Sequence, residues 1–439
     1  MIERPAAHAR RFSSPAIEAA ITRVSAHIAD PELARLFGNC LPNTLDTTVD
    51  FTDGERPDTF VLTGDIHAMW LRDSTAQVWP YLAFAREDAR LQRLLAGVLN
   101  RQVRCVLIDP YANAFNAGTE GSEWETDHTA MRPELHERKW ELDSLCAVMR
   151  LSHGYRQATG DLSPFDADWV QAMTLVIQTL RTEQRREGDA ATPYRFQRQA
   201  LNPTDTLPFE GLGWPARPNG LIRSGFRPSD DACQLPYLIP SNFMAVACLR
   251  QLDALATELG QATLAAQART LAAEVDASLP SAGLLPYETD GRGNQLFMDD
   301  ANVPSLLSLP YLGALAVDDP RYVATRAFVL SEDNPFYFRG RAGRGVGGPH
   351  CGLGMIWPMG LTLQALTSTD ETEIVQCLAQ LKATHAGTGF MHESFHQDDA
   401  ARYTRPWFAW ANTLFGELIL TLAEQRPHLL RERLPAWVA

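Results

Sequence analysis

Paired cysteine motifs are missing from this 439-residue chain. Its seven Cys, at positions 40, 105, 146, 233, 248, 351 and 377, include no C-x-x-C pair and are odd in number. That argues against a disulfide framework or a Cys-rich zinc site, and for reduced thiols in a cytoplasmic protein. No stretch approaches the ~20 uninterrupted apolar residues of a membrane span. The N-terminal residues 1–11 carry Arg and His but no apolar region behind them, so they do not read as a signal peptide. Basic charge is also short: 39 Lys and Arg face 53 Asp and Glu, a net charge of −14. No basic stripe is available to displace counterions from a nucleic acid. No G-x-S-x-G elbow is present. The Gly-rich run Gly343 to Gly348 lacks the Lys-Ser/Thr of a P-loop.

What remains is an ordinary globular composition, 45% apolar and 21% charged, on a chain long enough to bury a large core. Ten Trp on an acidic chain suit a sugar-binding groove as well as a core. Helical periodicity dominates. Ile17, Ile21, Val24 and Ile28 form one stripe, and Leu91, Leu94, Leu95, Val98 and Val103 another; similar patterns cover 140–159, 165–186, 241–259, 261–279, 373–386 and 406–425. The best strand signal, Thr59 to Leu62, is short. The connections at 107–139, 187–229, 280–304 and 331–358 are long and carry Trp, Asp, Glu, His and Arg, so they read as site-building loops. These features predict an all-α fold in one domain, 1–439: about a dozen helices in a ring, with loops gathered over one mouth.

Three clusters carry chemistry, and each also has a plainer structural reading. Gly64 to Ser74 holds Asp65, His67, Trp70, Arg72 and Asp73 before a helical run. An Arg fork and acceptor carboxylates suit sugar hydroxyls, and equally a buried ion pair with an N-cap. Ser224 to Ala232 holds the adjacent acids Asp230 and Asp231. Mutual repulsion would raise one pKa and make a proton donor; acids at a helix N-terminus are the alternative. Phe390 to His396 contains a literal H-E-x-x-H, His392-Glu393-x-x-His396, with Glu417 downstream. A zinc peptidase needs both His on an established helix, whereas Gly387 and Gly389 just upstream indicate a loop in which Glu393 is a catalytic carboxylate. Further loaded segments are 137–143, the Asp299-Asp300 pair as a capping device, and Trp407 with Trp410 as core.

Seven segments together resemble glycoside hydrolase family 125, the exo-α-1,6-mannosidases: T-G-D-I-H-A-M-W-L-R-D-S-T-A-Q at 63–77, D-P-Y-A-N-A-F-N at 109–116, E-R-K-W-E-L-D-S-L-C at 137–146, G-F-R-P-S-D-D-A-C at 225–233, M-D-D-A-N-V-P-S-L-L at 298–307, M-H-E-S-F at 391–395 and T-R-P-W-F-A-W-A-N at 404–412. His67 and the P-H-C-G-L-G-M-I stretch at 349–356 depart from the pattern and bear on subsite detail. The resemblance implies an (α/α)6 barrel and an inverting hydrolase, independent of metal or other cofactor, that releases mannose from non-reducing α-1,6 ends. It puts the general acid in the Asp230-Asp231 pair, with Asp230 preferred, and the general base on Glu393. Arg72 and Asp73 would hold the terminal sugar with Trp70 and Asp65; Asn302, His350, His392 and Arg405 complete the expected binding set.

Inversion requires two carboxyls about 6.5–9.5 Å apart with water between base and sugar. The expected partner is a mannose-containing oligosaccharide such as an N-glycan fragment, met by a monomer or weak homo-oligomer. The rival expectations are the zinc peptidase, a non-catalytic sugar-binding protein on the same scaffold, and phosphorolysis with the Gly343 to Gly348 run cradling phosphate.

Overall fold

The computed structural model describes residues 4–187 and 192–438. The first three residues of the N-terminal stretch, residues 188–191 of the 187–229 loop and residue 439 lie outside the described residues. Fourteen α-helices occur among the described residues. Six follow the periodic segments closely: Leu142–Thr159, Ala167–Gln184, Ile239–Glu258, Ala262–Asp276, Glu371–Thr384 and Ala409–Gln425. The two apolar stripes form Pro15–Ser25 and Ala89–Ile108, and the strand signal forms Asp58–Val61. Helix starts are set by side-chain caps. Ser14, Asp30, Asp88, Asp166, Asp319 and Asp370 each accept a backbone N–H of the first turn, satisfying donors that have no partner within the helix.

Burial separates the helices into two kinds. Leu142–Thr159 is buried without a break from Leu142 to Ser152, and Ile239–Glu258 from Ile239 to Val246. Helices buried on every side must be central. Ala262–Asp276 buries one stripe and exposes the other. Leu142–Thr159 packs between Leu71–Val78 and Ile239–Glu258, while Ala409–Gln425 packs against Pro358–Leu366 and returns to Leu71–Val78. Around them lie Ala89–Ile108, Ala167–Gln184, Ala262–Asp276 and Glu371–Thr384, each against a central neighbour. Two close approaches demand glycine. A Cβ on Gly97 would sit 2.9 Å from the Thr59 backbone nitrogen, and one on Gly416 would sit 2.8 Å from the Leu41 Cα. One contiguous apolar core runs through these contacts.

The expected long loops contain short antiparallel sheets. Three of these have three strands, and in each one strand leads straight into a central helix: Met69–Trp70 into Leu71–Val78, Tyr237–Leu238 into Ile239–Glu258, and Met355–Ile356 into Pro358–Leu366. The chain thus enters its central helices extended, and the side chains at those N-termini gather at one end. No helix among the described residues is long and apolar enough to cross a membrane.

Candidate active site

At that end Trp70, Arg72, Asp73, Asp230, Asn302, His350, Glu393 and Arg405 line one cavity, whose empty volume is about 430 Å³ up to its open mouth. Trp357, Phe408 and Trp410 supply an aromatic wall. Arg72 is the hub. Its Nη1 donates to Glu141 Oε2 at 2.5 Å and to Asp143 Oδ2 at 3.2 Å, its Nη2 donates to Asp230 Oδ1 at 3.3 Å, and its Nε lies 3.4 Å from Asp73 Oδ2. Its guanidinium also lies 6.0 Å from the centre of the Trp410 ring.

Asp230 reaches the cavity through a strained turn. Its φ is +66°, a left-handed conformation that Asp tolerates better than most residues and that costs on the order of 1–3 kcal/mol. The turn is held by Asp230 N–H donating to the Arg227 carbonyl and by Lys139 Nζ donating to the Asp230 carbonyl, both at 2.9 Å. Asp231 therefore turns the other way. It is buried, accepts from Thr204 Oγ1 at 2.9 Å, and lies 3.5 Å from His350 Nδ1. Of the adjacent acids, only Asp230 faces the cavity.

The neighbour that perturbs Asp230 is Glu141, across Arg72, rather than Asp231. Burial works to raise Asp230, but Arg72, Lys139 and a hydrogen bond with Glu141 outweigh it and hold its carboxyl well below the usual range. Burial drives Glu141 well above its usual value against the pull of Arg72. Burial also lifts Asp73, to about 6, against Arg72. His350 sits on the rim; burial opposes its charge, but the hydrogen bond and charge of Asp231, then Asp230 and Glu393, raise it to about 9.

Glu393 stands on another loop. Its Oε1 pairs with Arg405 Nε at 3.3 Å, and its Oε2 accepts from the Cys351 thiol at 3.6 Å. Arg405 is tethered from outside by Asp65, at 2.7 Å. Asp65 is thus an exposed rim residue rather than part of the cavity lining. His392 is also absent from the lining. It is fully buried, its Nδ1 is 2.8 Å from the Arg405 carbonyl, and its ring stacks on Tyr403 at 4.0 Å.

The zinc reading fails on geometry. His392 precedes the short strand Phe395–His396 instead of lying on a helix. His396 Nδ1 accepts the Asp398 N–H, and Glu417 is on Ala409–Gln425 bonded to the Tyr311 hydroxyl. The Gly343 to Gly348 run is no phosphate cradle either. Arg344–Val346 pairs with Tyr337–Arg339 as a hairpin, and a Cβ at Gly348 would press on the Asp300 carboxyl at 3.0 Å. Asp299 and Asp300 do bind backbone N–H groups, of Leu306, Leu307 and Asn302.

Several cavity-lining side chains hold buried polar atoms with no hydrogen-bond partner among the described residues: Trp70 Nε1, Ser229 Oγ and Trp357 Nε1. Buried polar groups are costly unless hydrogen-bonded, so these donors and acceptors suit a ligand rich in hydroxyls. Sequence reasoning left out Ser229, Trp357, Trp410 and the buried Glu141 and Asp143. The last two lie in the acid-rich 137–143 segment, whose signal was the run of charges beside Trp140. Trp410 gave no signal distinguishable from core.

A family profile described as metal-independent alpha-mannosidase (GH125) matches residues 30–420. The Schizosaccharomyces pombe meiotically up-regulated gene 157 protein is 44% identical, over 98% of this chain and 90% of its own. A Streptococcus pneumoniae metal-independent α-mannosidase, solved as a non-productive substrate complex with α-1,6-mannobiose, superposes with a TM-score of 0.89 at 41% identity, over 95% of this chain and all of that one. A bacterial glucoamylase complexed with acarbose gives a TM-score of 0.50 at 14% identity, over 85% of this chain and 52% of that one, a likeness of fold alone. The chain belongs to the GH125 family of metal-independent α-mannosidases and is a glycoside hydrolase.

Proposed function

We propose that this α-mannosidase is exo-acting and inverting, and removes terminal α-1,6-linked mannose from the non-reducing ends of mannosides or N-glycan fragments. The observation that carries this reading is that Asp230 and Glu393, from separate loops, both line one small cavity. The cavity is small and walled by Trp357, Phe408 and Trp410, which suits one terminal sugar better than a chain passing through. The relative bound to α-1,6-mannobiose supports the linkage.

In this reading Asp230 protonates the glycosidic oxygen and Glu393 deprotonates the attacking water. Arg72, Asp73, Trp70 and Asn302 bind the terminal ring, and His350 lies toward the leaving group. Arg405 orients Glu393, with Asp65 and His392 holding Arg405 in place. Asp231 supports His350. The surrounding carboxylates stabilise the oxocarbenium-like transition state. The central helices packed in series from Ile239–Glu258 through Leu142–Thr159, Leu71–Val78 and Ala409–Gln425 to Pro358–Leu366 support one (α/α)6 barrel domain over 1–439. The seven unpaired cysteines support a cytoplasmic setting, and the working unit is a monomer or weak homo-oligomer.

A panel of α-1,2-, α-1,3-, α-1,4- and α-1,6-mannobiosides assayed with EDTA tests the substrate. Hydrolysis of the α-1,6 isomer alone, undiminished by the chelator, is expected; preference for another linkage would overturn the assignment.

A further inference from the structure

Four carboxyls crowd a single guanidinium: Glu141, Asp143, Asp230 and Asp73 all lie within 3.4 Å of Arg72. Glu141 and Asp143 have no exposed side-chain surface. One positive charge cannot balance three buried carboxylates and a partly exposed fourth, and the nearby Lys139 is already shared with Glu137 and Asp205. Such a cluster must hold a proton. Glu141, whose side chain has no exposed surface while that of Asp230 is 29% exposed, is the costlier of the two to leave charged. Its Oε2 accepts from Arg72 and from Ser144 Oγ at 2.9 Å, and its Oε1 from Asn113 Nδ2 at 3.3 Å. Its carboxyl and that of Asp230 bond to the two terminal nitrogens of the same Arg72 guanidinium, and two carboxyls so placed can bond to each other only through a proton.

We propose that Glu141 is a positioning residue that stores the proton of the general acid and passes it to Asp230. This rests on the reading of Asp230 as that acid. In the free site the proton rests on Glu141. As the glycosidic oxygen seats against Asp230, the proton moves to Asp230 and then to that oxygen. The C1–O bond breaks with its electron pair left on the oxygen, and the leaving group departs as a neutral alcohol. Water forms the new bond to C1 and gives its proton to Glu393. Release of that proton to solvent and uptake of one by the cluster restore the starting state. The charged groups facing Glu141 are Arg72 and Asp73 on Leu71–Val78, Asp143 on its own helix, Lys139 and Glu137 just before it, and Asp230 with His350 beyond.

The test compares α-1,6-mannobiose with 2,4-dinitrophenyl α-mannoside, whose leaving group departs without a proton. Glu141→Gln removes the store and leaves Asp230 among cations. Its kcat on mannobiose is expected to fall at least about tenfold with KM within about twofold, and its kcat on the aryl mannoside to stay within about threefold. The alkaline limb of its kcat profile moves to lower pH by about one unit. Ser144→Ala withdraws a donor from ionised Glu141 and moves that limb to higher pH; it decides the matter if the Gln variant does not fold. Equal losses on both substrates, or an alkaline limb that does not move in Ser144→Ala, overturns the proposal. Asp230→Asn separates this failure from that of the reading beneath it. A variant that still cleaves mannobiose at the native rate removes Asp230 as the acid. One that fails on mannobiose but spares the aryl mannoside keeps it.

Discussion

Two carboxylates in one cavity sit in opposite surroundings, and their partners decide what each can do. Glu393 has Arg405 on one oxygen and a thiol on the other, an arrangement that keeps an anion facing the cavity. Asp230 is held in a left-handed turn by Lys139 and shares its proton with a buried acid. If Glu393 activates water, Glu393→Gln loses about 10²–10⁴-fold in kcat while α-1,6-mannobiose still binds, as steady-state kinetics and calorimetry would record. Near-native turnover would remove Glu393 from that role. The residues that sequence reasoning set side by side part company in space: Asp230 enters the cavity and Asp231 backs His350. Adjacent positions in a turn point in different directions, and nothing in the string Asp-Asp shows where the turn falls.

Among the elements, the longer helices were legible in the sequence, even the central Leu142–Thr159 and Ile239–Glu258, because their later turns keep a 3.6-residue stripe. The central helices Leu71–Val78 and Pro358–Leu366 were not. The first buries Arg72, Asp73, Ser74, Thr75 and Gln77, and the second is buried from Pro358 to Leu363; neither alternates. Some of their polar side chains are satisfied from a neighbouring helix, as where Gln102 Nε2 donates to Ser74 Oγ and Thr75 Oγ1, both at 2.9 Å. The two-residue strands that aim the chain into the central helices are too short for any periodic signal. The loaded loops were recognisable from their composition. Which of their acids meet at Arg72 depends on contacts as distant in sequence as Arg72 with Glu141 and Asp230.

For the whole molecule, three buried acids, of which Asp73 lines the cavity, act on stability in one direction. Burial raises Asp73 to about 6, Glu417 to about 7 and Asp299 to about 8. The folded chain therefore binds more protons than the unfolded chain between the ordinary carboxyl range and these values, and stability falls as pH rises through them. His350 adds the same sign: its contribution is complete below its unfolded value and is lost as pH climbs through about 9. Carboxylates held down by partners, such as Asp319 at about 2, lose their contribution only in acid. Denaturant midpoints are accordingly expected to peak at about pH 4–5 and decline steadily toward pH 9; a midpoint that rises over that interval would contradict these assignments.

Part of the charge of −14 gathers at the carboxyls around Arg72 and on the Glu393 loop. The central claim is that two of them work from opposite sides of one anomeric carbon. Proton NMR of methyl α-1,6-mannobioside during hydrolysis tests this most directly, since only the released mannose carries a free anomeric centre. The account predicts that β-mannose appears first and then mutarotates; α-mannose as the first-formed product would contradict it.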